Sequence, residues 1–365
     1  MQTNNATRTL IDAVNKRRDM VTEYLFDEKN RIHFTYTHLE EAVYSYLKAG
    51  GKSLRPAVLL FACGAVGGAE HTAIPAAAAV ELYHTFTLVH DDIIDRDEMR
   101  RGVPTVHHEF MQRAIKEMGF DDQRAAHYGL AIAILTGDLQ QGWAVSLLPD
   151  LYHSHGLPPQ LALELVTALF RHTQITLING ETIDVVQAET PVDQLTEAAV
   201  LEMLWQKTGV LYEFTGKAGA AIGLKHPSLD HPTIEAMGAF TGRCGIAFQL
   251  QDDILGVTGD EARLGKAVGA DIREGKRTVI VLNAINRMSA VEKKFLLSVL
   301  GDRSATEKAV TEAIGLLESA GGVNHARTLA NHYIEQALEQ LAVLPESEYK
   351  QYLAAWAQYI VERDQ

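Results

Sequence analysis

The stretch AAAAVELYHTFTLVHDDIIDRD keeps helical spacing from a start near Pro75 to about Asp97, and its apolar run closes on three carboxylates, Asp91, Asp92 and Asp95. At 3.6 residues per turn Asp91 and Asp95 stand one above the other, with Asp92 about 100° round the helix. Like charges at this spacing cost a few tenths of a kcal/mol even on a solvated helix, and burial raises that cost. Whatever the chain folds into must compensate for three acids in an apolar helix.

The rest of the chain reads as helix almost throughout. THLEEAVYSYLKAGG offers a capping box, Thr37 with Glu40, and closes on Gly50-Gly51. Long helices are predicted from about Thr196 and from Pro232. Alternating runs bounded by hairpin turns are absent, and so is any solenoid period. Loops are expected at HSHGLPP, KHPSLDHP and GDRSA, and a polar excursion over 113–127. The fold class is all-α: one helical bundle over 1–365, with the N-terminal helix, 1–30, its least defined part.

Composition narrows the function. A net charge of −14 over 365 residues argues against nucleic acid, which needs a basic face. Two cysteines without a CxxC give neither a disulfide scaffold nor a zinc finger. The N-terminus lacks the apolar core of a signal peptide, and charged or proline residues interrupt every apolar stretch, so no membrane span is expected. A soluble cytoplasmic protein is the expectation.

FQLQDDILG repeats the acidic theme, with Gln249 sharing a helical surface with Asp252 and Asp253. One aspartate pair could be a solvated helix end. Two, each in an apolar helix, point to divalent cations held by carboxylates, with phosphates and water completing the shell. An EF-hand is excluded, because the sixth position from Asp95 is Arg100 where a glycine is required. Basic residues cluster near glycines in this acidic chain: Lys52 and Arg55 after Gly50-Gly51, then Arg100 and Arg101, Lys207 beside Thr208, and Lys266, Lys276 and Arg277. GGK is not a P-loop, since the GxxxxGK[ST] pattern is missing. Metals for one polyphosphate and Lys/Arg for another would explain both sets.

In order along the chain, GGKSLRP, LVHDDIIDRDEMRRGVPTVH, KTG, GIAFQLQDDILG and LGKAVGADIREGKRT resemble the motifs of the trans (head-to-tail) isoprenyl diphosphate synthases. The resemblance implies the isoprenoid synthase fold around a deep cavity, usually as a homodimer, with isopentenyl diphosphate and an allylic diphosphate as substrates. It implies about three Mg²⁺ ions per active site, held by Asp91 and Asp95 with Asp92 in support, and by Asp252. Arg100, Lys207, Thr208, Gln249 and Lys266 would hold the allylic diphosphate, with Lys276 in the same substrate set. Gly51, Lys52, Arg55, His84 and Arg101 would hold isopentenyl diphosphate. Tyr83, Phe86 and Thr87, one and two turns before Asp91, would limit product length. A phenylalanine five residues before Asp91, with no insertion in DDIID, resembles type I geranylgeranyl diphosphate synthases (C20 product). Farnesyl diphosphate synthase, a class I terpene cyclase and a partner subunit of a heteromeric enzyme are the alternatives. An isopentenyl site argues against the cyclase, and an intact DDIID against the partner subunit. Three departures stand out: Gly256 where the second motif ends in aspartate, Glu181 where glutamine is usual, and a tail, YIVERDQ, without the basic C-terminus that some members close over isopentenyl diphosphate.

Overall fold

The computed structural model describes residues 5–100, 102–259 and 269–363. Arg101 and Lys266 lie outside the described residues. The described chain is helical apart from one small hairpin, and divides into two compact units.

Unit one holds the described parts of Met1–Val166 with Ala218–His231 and Ser347–Tyr352. Its helices are α1 (Asn5–Phe26), α2 (Thr37–Ala49), α3 (Leu54–Ala65) and α4 (Ile74–Asp95). After the hairpin β1 (Met99–Arg100) and β2 (Val103–Pro104) come α5 (Val106–Met118), α6 (Asp122–Leu147) and α7 (Asp150–His153). α3 is buried along nearly its whole length, as is the first half of α4, where Ala76–Val80 are fully enclosed. A helix apolar all round has to be enclosed on all sides, which explains the alanine run. α6 packs along both α4 and α5. Arg17 fixes α1: its guanidinium pairs with Glu70 at 2.9 Å and lies 5.1, 5.7 and 5.5 Å from the rings of Phe61, Tyr349 and Tyr352.

Unit two holds Thr167–Lys217, Pro232–Glu346 and Leu353–Gln365 as far as described. α8 (Pro159–Thr167) runs through a π-helical turn, Ala168–Thr173, into α9 (Gln174–Glu189). α10 (Glu197–Leu204) passes through a second π turn, Trp205–Gly209, into α11 (Val210–Leu224). α12 (Pro232–Thr258) is followed by α13 (Ala270–Glu274), α14 (Val279–Ile285), α15 (Ala290–Val299), α16 (Glu307–Ser319), α17 (Gly322–Gln340) and α18 (Glu348–Glu362). α12 packs along α17, and Tyr212, Phe240 and Trp356 form its aromatic core.

Two local expectations fail. Tyr36, not Thr37, is the N-cap of α2, without a side-chain bond, because Glu40 is drawn instead to Arg31 at 2.9 Å. The supposed excursion over 113–127 is helical but for a short turn after Met118. Arg113 pairs with Glu117 at 2.8 Å and with Glu41, so a polar surface strip extends α5 to Met118.

Among the described residues one helix, Pro159–Glu189, is long and apolar enough to cross a membrane by length and composition. The contact of α11 with α3 leaves no room for a side chain at Gly219. A Cβ on Gly219 would stand 2.3 Å from Leu59 O and 2.8 Å from Ala62 Cβ. Gly219→Ala is therefore expected to cost roughly 1–3 kcal/mol by forcing α11 off α3. Urea unfolding measures it, and an unchanged midpoint would show that the helices part freely.

Candidate active site

In unit one the acidic end of α4 separates into two roles. Asp92 is fully buried. Its Oδ2 accepts from the Tyr46 hydroxyl, and its Oδ1 accepts from Arg100 Nε at 2.6 Å and Nη2 at 2.5 Å. Burial pushes the Asp92 carboxyl above its usual range, while the bonds from Arg100 and Tyr46 pull it down without cancelling that push. Burial likewise opposes the Arg100 charge, and the bonds to Asp92 more than offset it, so that guanidinium stays protonated. The Tyr46 oxygen also accepts the Val106 N–H at 3.4 Å, joining α2, α4, the hairpin and α5. Asp91 and Asp95 are half-buried, and Arg100 Nη2 stands 3.7 Å from Asp91 Oδ2. Both sit in the last turn of α4, where helix carbonyls favour a cation.

The glycine-rich turn after α2 opens on a cavity in the same unit. Gly50, Gly51 and Ser53 line it with Glu81, His84, Tyr46 and, from α1, Arg18. Ser53, left-handed at φ 44°, donates to Glu81 Oε1 at 2.9 Å, and Arg55 Nη1 donates to His84 Nε2 at 3.1 Å. Gly51 and His84 thus share one hollow, with Arg55 bonded to its wall, and Lys52 is exposed beside it. Sequence reasoning missed Arg18. With Arg17 turned onto Glu70, the next residue, about 100° round α1, reaches the hollow. Tyr83 is fully buried against Phe86, ring centroids 4.7 Å apart, and the Thr87 hydroxyl donates back to His84 O at 2.7 Å.

Unit two gathers the second set. Lys207 and Thr208 lie in the π turn before α11. Lys207 Nζ donates to Asp184 Oδ2 at 2.6 Å and stands 2.9 Å from Glu181 Oε2. Glu181, the departure from glutamine, thus adds a second negative charge beneath Lys207. Thr208 Oγ1 donates to Gln249 Oε1 at 3.0 Å, and Gln249 Nε2 donates to Asp253 Oδ1 at 3.2 Å. Burial, reinforced by the charge of Asp271, pushes the Asp253 carboxyl well above its usual range.

Gly256 has a spatial counterpart. The Asp271 carboxylate lies over it, with Oδ2 2.8 Å from where a Cβ would stand, so a side chain at 256 would meet an acid already in place. Lys276 Nζ, 3.5 Å from Asp271 and 3.0 Å from Glu274, steadies that acid. Arg277 donates to Gly275 O at 2.7 Å. The tail is not without a basic group at the site. Arg363 is buried over the Phe248 ring, 3.8 Å from its centroid, and donates to Phe248 O at 3.0 Å and Asp252 Oδ1 at 2.5 Å.

Half-exposed carboxylates on helices suit Mg²⁺, a hard cation that takes one or two carboxylates and completes its octahedron with water and phosphate. Among the described residues no three Asp, Glu, His or Cys side chains converge into a closed cage, the arrangement Mg²⁺ does not require. Asp252 already attracts a guanidinium, so its oxygen faces a position that favours positive charge.

Asp253 makes stability depend on pH. Below the ordinary carboxylate range it is neutral in both folded and unfolded chains. Between that range and its raised folded value the folded chain holds the extra proton, so stability falls as pH rises. Asp253→Asn should remove this slope and raise the metal-free melting temperature at pH 8 by about 2 °C or more. Thermal melts in EDTA at pH 5 and pH 8 check it, and parallel shifts at both would contradict the burial argument.

The polyprenyl synthetase family model matches residues 36–317. The geranylgeranyl diphosphate synthase of Sulfolobus acidocaldarius is 34% identical over 330 residues, 90% of this chain and 89% of that one. The geranylfarnesyl diphosphate synthase of Aeropyrum pernix is 34% identical over 349 residues, 94% of this chain and 99% of that one. The crystal structure of geranylgeranyl pyrophosphate synthetase from Pyrococcus horikoshii superposes with a TM-score of 0.82 at 33% identity, covering 98% of this chain and 99% of that one. A geranylgeranyl pyrophosphate synthase from Corynebacterium glutamicum, crystallised with isoprenyl diphosphate and magnesium, superposes at 0.80 with 26% identity over all of both chains. The helical architecture is that of these enzymes, the all-α isoprenoid synthase fold, and the chain belongs to the polyprenyl synthetase family as a prenyltransferase.

Proposed function

We propose that this prenyltransferase condenses isopentenyl diphosphate head-to-tail with allylic diphosphates and stops at geranylgeranyl diphosphate. The observation that carries the reading is the hollow of unit one, where Gly51 and His84 meet two helical turns before Asp91. It supports an isopentenyl diphosphate seat beside a metal-binding helix end, a seat a terpene cyclase does not need. In this reading Asp252 is a Mg²⁺ ligand of unit two, and Asp91 and Asp95 are Mg²⁺ ligands of unit one. Asp92 positions them through Arg100 and Tyr46. The two units work as one polyprenyl synthetase domain, in the cytoplasm.

When bound, Mg²⁺ neutralises the diphosphate that leaves the allylic carbon. Lys207, held by Asp184 and Glu181, aims positive charge at the oxygens where negative charge grows, which favours the transition state over the ground state. Arg100, in unit one, and Thr208, Gln249, Lys266 and Lys276, in unit two, are each assigned to the allylic diphosphate, while Lys52, Arg55 and Arg101 hold isopentenyl diphosphate. The isopentenyl double bond attacks the allylic carbon as its C–O bond breaks, and the proton lost from the new chain passes to the departing diphosphate.

The buried Tyr83–Phe86 pair supports a floor beneath the growing chain. Phe86→Ala is expected to move the main product beyond C20; an unchanged product would place the floor elsewhere. The exposed apolar side chains Leu130, Ile134 and Leu135 of α6, and Ile175, Ile178 and Val186 of α9, support a homodimer in which a second copy covers them. Light scattering of the purified protein tests that.

The deciding experiment supplies Mg²⁺, labelled isopentenyl diphosphate and, separately, C5, C10 and C15 allylic diphosphates, then sizes the dephosphorylated products. A C20 alcohol lost with EDTA supports the reading. No incorporation of isopentenyl diphosphate overturns it, and a single C15 or C25 product overturns the length alone.

A further inference from the structure

α4 carries three aromatic rings in succession on one side, Tyr83, Phe86 and His90. Tyr83 and Phe86 meet edge to face, centroids 4.7 Å apart and planes at 88°; Phe86 and His90 meet the same way at 5.8 Å and 82°. Phe86 is therefore clamped from both sides. The clamp needs an anchor, and α6 provides it. His90 Nε2–H donates to Ile134 O at 3.2 Å. The imidazole also lies on Gly137, where a Cβ would stand 2.1 Å from Nε2, 2.5 Å from Cδ2 and 2.8 Å from Cε1. Those separations are far inside van der Waals contact, so even a methyl at 137 excludes the ring from its place.

We propose that His90 and Gly137 are specificity-determining positioning residues. Gly137 admits the His90 ring onto α6, and His90 in turn holds Phe86 in the orientation that limits product length. The inference rests on the proposed role of Phe86 as the floor. Neither residue is asked to touch a diphosphate. Phe86 alone, on one helix, could rotate about its side-chain bonds as the product grows. Locked by His90 to a second helix, it presents a fixed surface, and the length limit becomes a property of the α4–α6 packing rather than of one side chain.

The test compares wild type, His90→Ala, His90→Gln, Gly137→Ala and the His90→Ala/Gly137→Ala double variant. Each is assayed with a C15 allylic diphosphate and isopentenyl diphosphate at matched turnover, and the C25-to-C20 ratio and the KM for isopentenyl diphosphate are read. His90→Ala should raise the ratio on the order of fivefold, the worth of one edge-to-face contact. Gly137→Ala should shift it in the same direction, with KM unchanged within about twofold. His90→Gln, which keeps a donor for Ile134 O but loses the ring, should behave like His90→Ala. The double variant should match His90→Ala alone, because the added methyl acts only by displacing the ring. If Gly137→Ala does not fold, the two His90 variants decide the matter. A wild-type ratio in folded His90→Ala and His90→Gln overturns the inference while leaving the synthase reading intact. So does a double variant whose shift is the product of the single shifts. A wild type that incorporates no isopentenyl diphosphate overturns the synthase reading, and this inference with it.

Discussion

Asp91→Ala should lower kcat by at least about 10³-fold at saturating Mg²⁺ and substrates, the scale lost when a charge-stabilising centre is removed from a transition state. Its unfolding free energy should stay within about 1 kcal/mol of wild type. The Asp91 carboxylate is partly open and its ion-pair contact with Arg100 is long, at 3.7 Å. Deleting it also relieves repulsion with Asp92 and Asp95. The two outcomes together distinguish a metal ligand from a structural acid. Single-turnover assays with a C15 primer, paired with urea unfolding, measure both. Turnover above a tenth of wild type would remove Asp91 from the metal site.

The neighbouring ion pair predicts the opposite pattern. Arg100→Met leaves the Asp92 carboxylate fully buried with the Tyr46 hydroxyl as its remaining side-chain donor among the described residues, which should cost roughly 3–5 kcal/mol of stability. The loss should shrink as pH falls from the raised Asp92 value toward the ordinary carboxylate range, because in the folded chain Asp92 takes up its proton above that range and no longer carries a buried charge. Adding Asp92→Asn to Arg100→Met should recover most of the loss at neutral pH, since the uncompensated charge is then gone. Denaturant midpoints at pH 5 and pH 8 for both variants check this, and a pH-independent loss would mean that Arg100 acts through packing.

Residues that occupy a helix face were legible in the sequence, and residues that depend on a partner from another element were not. The span of α4 and its acidic end followed from apolar spacing and the breakers beyond it. The helices from Thr196 and Pro232 followed in the same way, and the family motifs singled out Lys52, Lys207 and Gln249 as candidates. Sequence spacing alone could not show that Asp92 turns inward while Asp91 and Asp95 stay half-open, because that depends on Tyr46, forty-six residues away. Glu181 and Gly256 read as departures. They acquire meaning only through Lys207 and Asp271, brought to them by other helices. The π turns leave no periodic signal, since one extra residue in a turn looks like ordinary drift. Arg363 was passed over because a single arginine in an acidic tail carries no pattern. Its meaning lies in the ring and carboxylate it covers.

The Asp92–Arg100–Tyr46 contact has a consequence for time as well as for place. The Asp97 N–H returns to Asp92 O at 2.9 Å, so the connection from α4 into the hairpin is ordered as the chain folds. Fixing backbone costs about 1–2 kcal/mol of conformational entropy per residue. Here that loss occurs once in the life of the molecule instead of at each encounter with substrate. In the proposed reaction, a diphosphate arriving at the end of α4 would meet a frame that is already stiff, leaving its binding energy available for the bond that must break.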